Sequence, residues 1–160
     1  MVVNAMNYSK FKIGQEKIVS ELVWTVFKKY EAPVYPEEGI KTFKTFIAPD
    51  NIKDMVCNNG SPIYCCFEND KLVGVLAFRG KAHISLLFVH EEYHRKGIAK
   101  KLLSNALDEL MSSDKTISKI TVNSSPYAMV IYERMGFLAT SELQQQDGLL
   151  FIPMVKGLYL

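Results

Sequence analysis

The chain has 160 residues, 48% hydrophobic and 22% charged, which suits one domain (1–160) with a real hydrophobic core and argues against a disordered or fibrous protein. A formal net charge of +2 is too weak to imply a nucleic-acid surface. No basic-then-apolar leader opens the sequence and no apolar run reaches membrane-spanning length, so the expectation is a soluble, cytoplasmic protein with no membrane partner.

Residues 5–12 predict a first strand. From Glu16, a helical face of Val19, Leu22, Val23, Val26, Phe27 and Tyr30 lies opposite Lys17, Glu21 and Lys28. Pro33 and Pro36 interrupt it, a second helix is expected over 37–47, and Pro49-Asp50 opens a short turn or helix ending near Cys57. Asn58-Asn59-Gly60-Ser61-Pro62 is a turn. Strands are expected over 63–67, 72–78 and 83–89, and their short connections make them an antiparallel meander. Cys57, Cys65 and Cys66 have neither metal-site nor redox-pair spacing, and adjacent Cys65 and Cys66 point to opposite faces of a strand.

After Gly97 comes the best-defined helix, with Ile98, Ala99, Leu102, Leu103, Ala106, Leu107 and Leu110 as its stripe. Lys119 to Val122 predicts a strand; parallel to the strand at 83–89, it would complete a right-handed crossover. Ser125 caps a further helix with Pro126 in its first turn, and Gly136 ends it. Strands near 137–144 and 149–156 join through Gln146-Asp147-Gly148.

The chemistry-bearing segment is the junction between strand 83–89 and the Gly97 helix. A helix start supplies unsatisfied N–H groups and a positive dipole end, which suits a phosphate. Gly97 permits close approach, Ala99 adds only a methyl group, and Arg95, Lys96, Lys100 and Lys101 add positive charge. Neither the P-loop nor the Rossmann fingerprint is present.

His94-Arg95-Lys96-Gly97-Ile98-Ala99 resembles the strand–loop–helix motif of the GCN5-related N-acetyltransferase family, which has Gln or Arg, two residues, Gly, one residue, then Gly or Ala. His94 stands where Gln or Arg is usual. Asn123 to Phe137 resembles the family's later cofactor motif, an asparagine followed by a helix with a tyrosine and then Gly-Phe. The resemblance covers 60–156 well and the first 58 residues in general layout. It implies an α/β (α+β) fold: a mixed, mostly antiparallel central sheet, helices on both faces and a parallel splayed pair at the cofactor site. It also implies acetyl-CoA or CoA as cofactor without a metal, backbone pairing of Phe88 and Val89 with the pantetheine arm, phosphate contacts from His94 through Lys101, and a possible homodimer.

Acyl transfer to an amine needs a neutral nucleophile, a polarised carbonyl and protonation of the departing thiolate. Tyr132, on the inward face with Ala128 and Met135, is the candidate acid, the role the family tyrosine usually plays. Asn123 is a candidate cofactor contact and Tyr127 a wall of the pantetheine or adenine site; a backbone N–H near Val89 would hold the thioester carbonyl. His83 is the candidate base, with Glu37, Glu38 and Glu68 as acidic alternatives. Trp24, Tyr30, Tyr35 and Phe43 are candidates for an aromatic acceptor cleft. The expected partner is a small-molecule amine or peptide, not nucleic acid; a non-catalytic acyl-CoA-binding module is the alternative reading.

Overall fold

The computed structural model describes residues 5–158. Strand β1 (Met6–Lys10) leads to helices α1 (Glu16–Tyr30), α2 (Glu37–Phe46) and α3 (Pro49–Cys57). The meander follows as β2 (Ile63–Glu68), β3 (Lys71–Arg79) and β4 (His83–Val89), then α4 (Ile98–Ser113), β5 (Lys119–Ser124) and α5 (Met129–Arg134). Two short strands, β6 (Leu138–Ala139) and β7 (Gln144–Gln146), precede the long β8 (Leu149–Gly157).

The sheet runs β1-β2-β3-β4-β5-β8-β6, with β7 also on β8. The β4–β5 pair is parallel and the other pairings are antiparallel. The expected fold class is the observed one. Helix α1 contributes Val19, Leu22, Val23, Val26 and Phe27 to the core on one face, and α4 contributes Ile98, Leu102, Leu103 and Ala106 to the core on the other. The adjacent cysteines divide between them, Cys65 with α1 and Cys66 with α4, as strand alternation requires.

One irregularity of β4 sets up the site. Ala77 pairs with Leu86 but Phe78 with Ile84, leaving Ser85 as an extra residue in a bulge. Ile84 consequently packs on the α4 side while Leu86 and Phe88 pack on the α1 side. At this point β4 also leaves β5: only His83 with Thr121 and Ile84 with Val122 are paired. Beyond Ile84 the two strands part, so the edge of β4 that faced β5 is open.

Three boundaries depart from expectation. The strand predicted near 137–144 is two strands, because its register on β8 shifts by two residues: Ala139 pairs with Met154, but Gln144 pairs with Phe151. Pro153 lies in the gap and has no N–H to offer a ladder; its carbonyl instead accepts from the Thr140 backbone N–H at 2.9 Å. The last helix starts later than Pro126, because both the carbonyl and the hydroxyl of Ser125 take the Ala128 N–H, each at 3.1 Å, and close a tight turn first. Strand β5 runs on to Ser124, so Asn123 is a strand residue.

Helix α2 is clamped to the β7–β8 hairpin. Thr42 Oγ1 donates to the Asp147 carbonyl and Tyr35 Oη to the Leu150 carbonyl, both at 2.8 Å. A Cβ on Gly39 would stand 2.0 Å from the Gly148 carbonyl oxygen. Gly39→Ala is therefore expected to cost about 1–3 kcal/mol by overpacking, read as a melting temperature lower by several degrees; an unchanged value would refute the close approach.

Candidate active site

The turn between β4 and α4 is held from several sides. The His94 Nε2 lies 2.7 Å from the Val89 carbonyl, so the imidazole donates back to the end of β4. Arg95 and Gly97 both have left-handed backbones, at φ 63° and 78°. Such a turn gathers successive N–H groups into an anion-binding concavity. The first intrahelical bond of α4 is Lys101 N–H to the Gly97 carbonyl, leaving the Ile98, Ala99 and Lys100 N–H groups free of helical partners. A Cβ on Gly97 would meet nothing within 4 Å, so the outer side of the turn is open to a ligand. Lys29 of α1 bonds Glu91 just after β4, tying α1 to this turn.

A cavity of about 420 Å³ opens from it. Its wall includes Phe88, Val89, His94, Arg95, Gly97, Ile98, Ala99 and Lys100, with Tyr127 and Tyr132 opposite. Tyr30 of α1 completes it, its ring 5.0 Å from Tyr127 and 5.4 Å from His94. Lys96 and Lys101 do not line it; the Lys96 ammonium instead sits 5.0 Å above the Tyr93 ring. These residues suit a pantetheine pyrophosphate: N–H donors and cations at the turn, an open strand edge beyond, and aromatic walls.

A second cavity, about 340 Å³, lies on the other side of the parted strands. Of the four rings expected to form an aromatic cleft, Tyr35 and Phe43 line it, joined by Phe46 and Phe151. Tyr30 lines the first cavity instead, and Trp24 lines neither; its ring packs on Phe27 at 5.9 Å under the Lys44 ammonium. Asn123 borders this second cavity rather than the first, because strand alternation turns it to the same side as Thr121.

Five residues belong to both walls: Glu31, Leu87, Phe88, Ala128 and Tyr132. Tyr132 is buried, with its ring edge-on to Phe137 at 5.3 Å. Burial, and then the nearby Glu31 charge, push its phenol well above the ordinary tyrosine range, so it stays protonated as a donor.

His83 also lines the second cavity. Its Nδ1 is 2.8 Å from Thr121 Oγ1 and its Nε2 3.3 Å from Arg79 Nη2. Since the guanidinium can only donate, Nε2 accepts and the imidazole is neutral. Burial and the Arg79 charge lower its pKa to about 4, which leaves a weak proton acceptor. Glu37, Glu38 and Glu68 line neither cavity.

Glu31 is the acid that sequence reasoning passed over. It is 9% exposed, directly follows α1, and takes a hydrogen bond from Ser125. Burial outweighs that bond and raises its carboxyl to about 7. The available signal was its position: a carboxylate just past a helix C-terminus opposes the dipole, a locally unfavourable choice of the kind that gathers at functional sites.

The family model for the acetyltransferase (GNAT) domain matches residues 31–158. The chain belongs to this family. The UPF0157 protein YqkA of Bacillus subtilis (strain 168) is 31% identical over 86 residues, 52% of this chain and 25% of that protein, so the chain spans about a quarter of this relative's length. A GCN5-related N-acetyltransferase structure from Rhodopseudomonas palustris shares the fold at TM-score 0.80 and 19% identity, covering 99% of each chain. The PaiA N-acetyltransferase of Thermoplasma acidophilum, solved in complex with coenzyme A, does so at TM-score 0.77 and 19% identity, covering 96% of this chain and 99% of that one. Among the described residues, no helix is long and apolar enough to cross a membrane, and no group of three or more His, Cys, Asp or Glu is placed to hold a metal ion.

Proposed function

We propose that the chain transfers an acetyl group from acetyl-CoA to a primary amine of a small molecule or peptide by direct attack, with both substrates bound together. The observation that carries this reading is the meeting of two cavities, one beside an anion-binding turn and one lined with aromatic rings, at a wall containing Tyr132. Two cavities with a shared wall favour direct transfer, since each substrate has its own approach to a common point.

Acetyl-CoA would supply the acyl group as an activated thioester. The turn from His94 to Lys100 holds its phosphates through backbone N–H groups and the Arg95 and Lys100 charges, with Lys96 and Lys101 adding field from outside the cavity. Phe88 and Val89 offer the open edge of β4 to the pantetheine arm, and a backbone N–H near Val89 is the donor for the thioester oxygen. Tyr127 walls the arm with Tyr30. The Tyr132 phenol donates a proton to the departing sulfur. Asn123 and His83 border the acceptor.

Acetyl-CoA incubated with a panel of amines should give acetylated product and free thiol in equal amounts, dependent on the amine. CoA alone, at 100 times its dissociation constant, should stabilise the fold by about 2.7 kcal/mol, visible as a higher melting temperature. Tight CoA binding with no turnover on any amine would mark a non-catalytic binding module, and absence of CoA-induced stabilisation would remove the cofactor site.

A further inference from the structure

The second cavity has a distinct chemical character. Phe27 is the hub of its wall, with Tyr35 edge-on at 5.3 Å and Phe43 stacked at 4.0 Å. Phe43 in turn lies 5.9 Å from Phe88, whose side chain reaches the wall shared with the first cavity. These rings pack on one another, so the apolar surface exists before any substrate arrives. Three acidic or basic side chains besides His83 line the cavity: Glu31 at the shared wall, and Arg79 and Asp147, both exposed.

Building on the N-acetyltransfer reading, we propose that this cavity receives a monoamine carried on an aromatic or branched aliphatic body, and that Glu31 holds its nitrogen and takes its proton. The rings provide faces for the apolar body. A single buried carboxylate at the shared wall suits a single ammonium. A polyamine would bring further ammonium groups into a cavity where the exposed Arg79 repels them and Asp147 is the one other acid of the wall.

The surroundings of Glu31 fit the proton-accepting role. Ser125 donates to the carboxylate, which fixes its direction. Its charge is felt by the phenols of Tyr35, Tyr127 and Tyr132. In the second cavity it shares the space with Arg79, His83 and Asp147, and in the first with His94, Arg95, Lys100 and Arg134. A carboxyl raised to about 7 can accept a proton and release it to water near neutrality. An ammonium and a thioester give an amide, a thiol and one proton. Glu31 takes the first proton from nitrogen; the nitrogen lone pair forms the N–C bond, and the C–S bond breaks with its electron pair on sulfur. Tyr132 protonates that sulfur, and the second proton lost from nitrogen restores the phenol.

The test compares 2-phenylethylamine, spermidine and a short peptide with an N-terminal glycine at saturating acetyl-CoA. The expected kcat/KM for 2-phenylethylamine exceeds both others by at least about tenfold, the scale of one desolvated apolar contact. Preference for spermidine or the peptide overturns the substrate class while leaving N-acetyltransfer intact; no acetylation of any amine overturns the underlying reading as well. Calorimetry with 2-phenylethylamine in the presence of CoA gives a readout without turnover. Binding should weaken about tenfold or more in Glu31→Gln, as expected for losing a hydrogen bond to a charged group, and likewise on lowering the pH from 8 to 6. Equal affinity in the variant removes Glu31 from the site.

Glu31→Gln should also lower kcat/KM about 100-fold and abolish the inflection near neutrality, leaving the amine's own titration. Glu31→Asp, which keeps a carboxylate, should recover part of the rate with that inflection; behaviour identical to Gln overturns the proton-acceptor role. The free protein reports the same group. Because the folded carboxyl is raised from 4.5 to about 7, the stability it confers is present below 4.5 and lost as pH rises through 7. The melting temperature of wild type relative to Glu31→Gln should therefore fall over that window, and a constant difference would show that the carboxyl is not buried as described.

Discussion

Tyr132→Phe is expected to lower kcat by about 10²–10⁴-fold, the range for losing a positioned general acid, while the CoA dissociation constant changes by less than about twofold. The reason is where the phenol sits. Tyr132 is buried in the wall common to both cavities, so its oxygen is removed from bulk water, while the donors that would hold the phosphates lie on the β4–α4 turn. Phe keeps the ring, its edge-on contact with Phe137 and the shape of the wall. Stability should consequently move little, and the deficit should appear in kcat rather than in cofactor affinity. A thioester whose leaving thiol is already a good leaving group should be less sensitive to the substitution than acetyl-CoA. An unchanged kcat with acetyl-CoA would exclude the phenol as the acid, and an equal loss of CoA affinity would make it a wall rather than a donor.

The fold was legible because its signals are local. The Val19-to-Tyr30 face, the meander with its two tight turns and the α4 stripe each follow from periodicity and turn chemistry. The turn between β4 and α4 was legible for the same reason: Gly97 at a strand-to-helix junction is a short-range pattern. What escaped depends on distant pairing. The division of β6 from β7 arises because Pro153 of β8 interrupts the ladder opposite Thr140, and nothing between 137 and 144 announces it. Asn123 moved to the second cavity because β5 ran two residues longer, and strand alternation then decided its side. Glu31 was missed because burial cannot be read from a polar residue beside a helix end; it needs Ser125 and the tyrosines of α5 and its preceding turn to come over it. His83 illustrates the converse. Its reference pKa recommends it in sequence, whereas burial and the Arg79 charge hold it neutral with both ring nitrogens engaged.

Gly97→Val should remove most CoA binding, seen as loss of the CoA-induced rise in melting temperature and at least a tenfold weaker dissociation constant. Two effects act together. At φ 78° the residue is left-handed, a conformation that costs an L-residue about 1–2 kcal/mol and a β-branched one more. Escaping that strain would rotate the peptide planes that aim the Ile98, Ala99 and Lys100 N–H groups outward. A side chain there would also project into space that is open in the protein and that the proposed phosphate site would use. Two further variants separate these contributions. Gly97→Ala carries the backbone strain with little bulk, so it should fall between wild type and Val. Lys100→Ala removes one charge lining the cavity without strain; its loss of affinity should shrink as ionic strength rises and screens that charge. If Gly97→Val bound CoA as wild type does, the turn would not be the phosphate cradle, and the polar end of the cofactor would have to lie elsewhere along the parted strands.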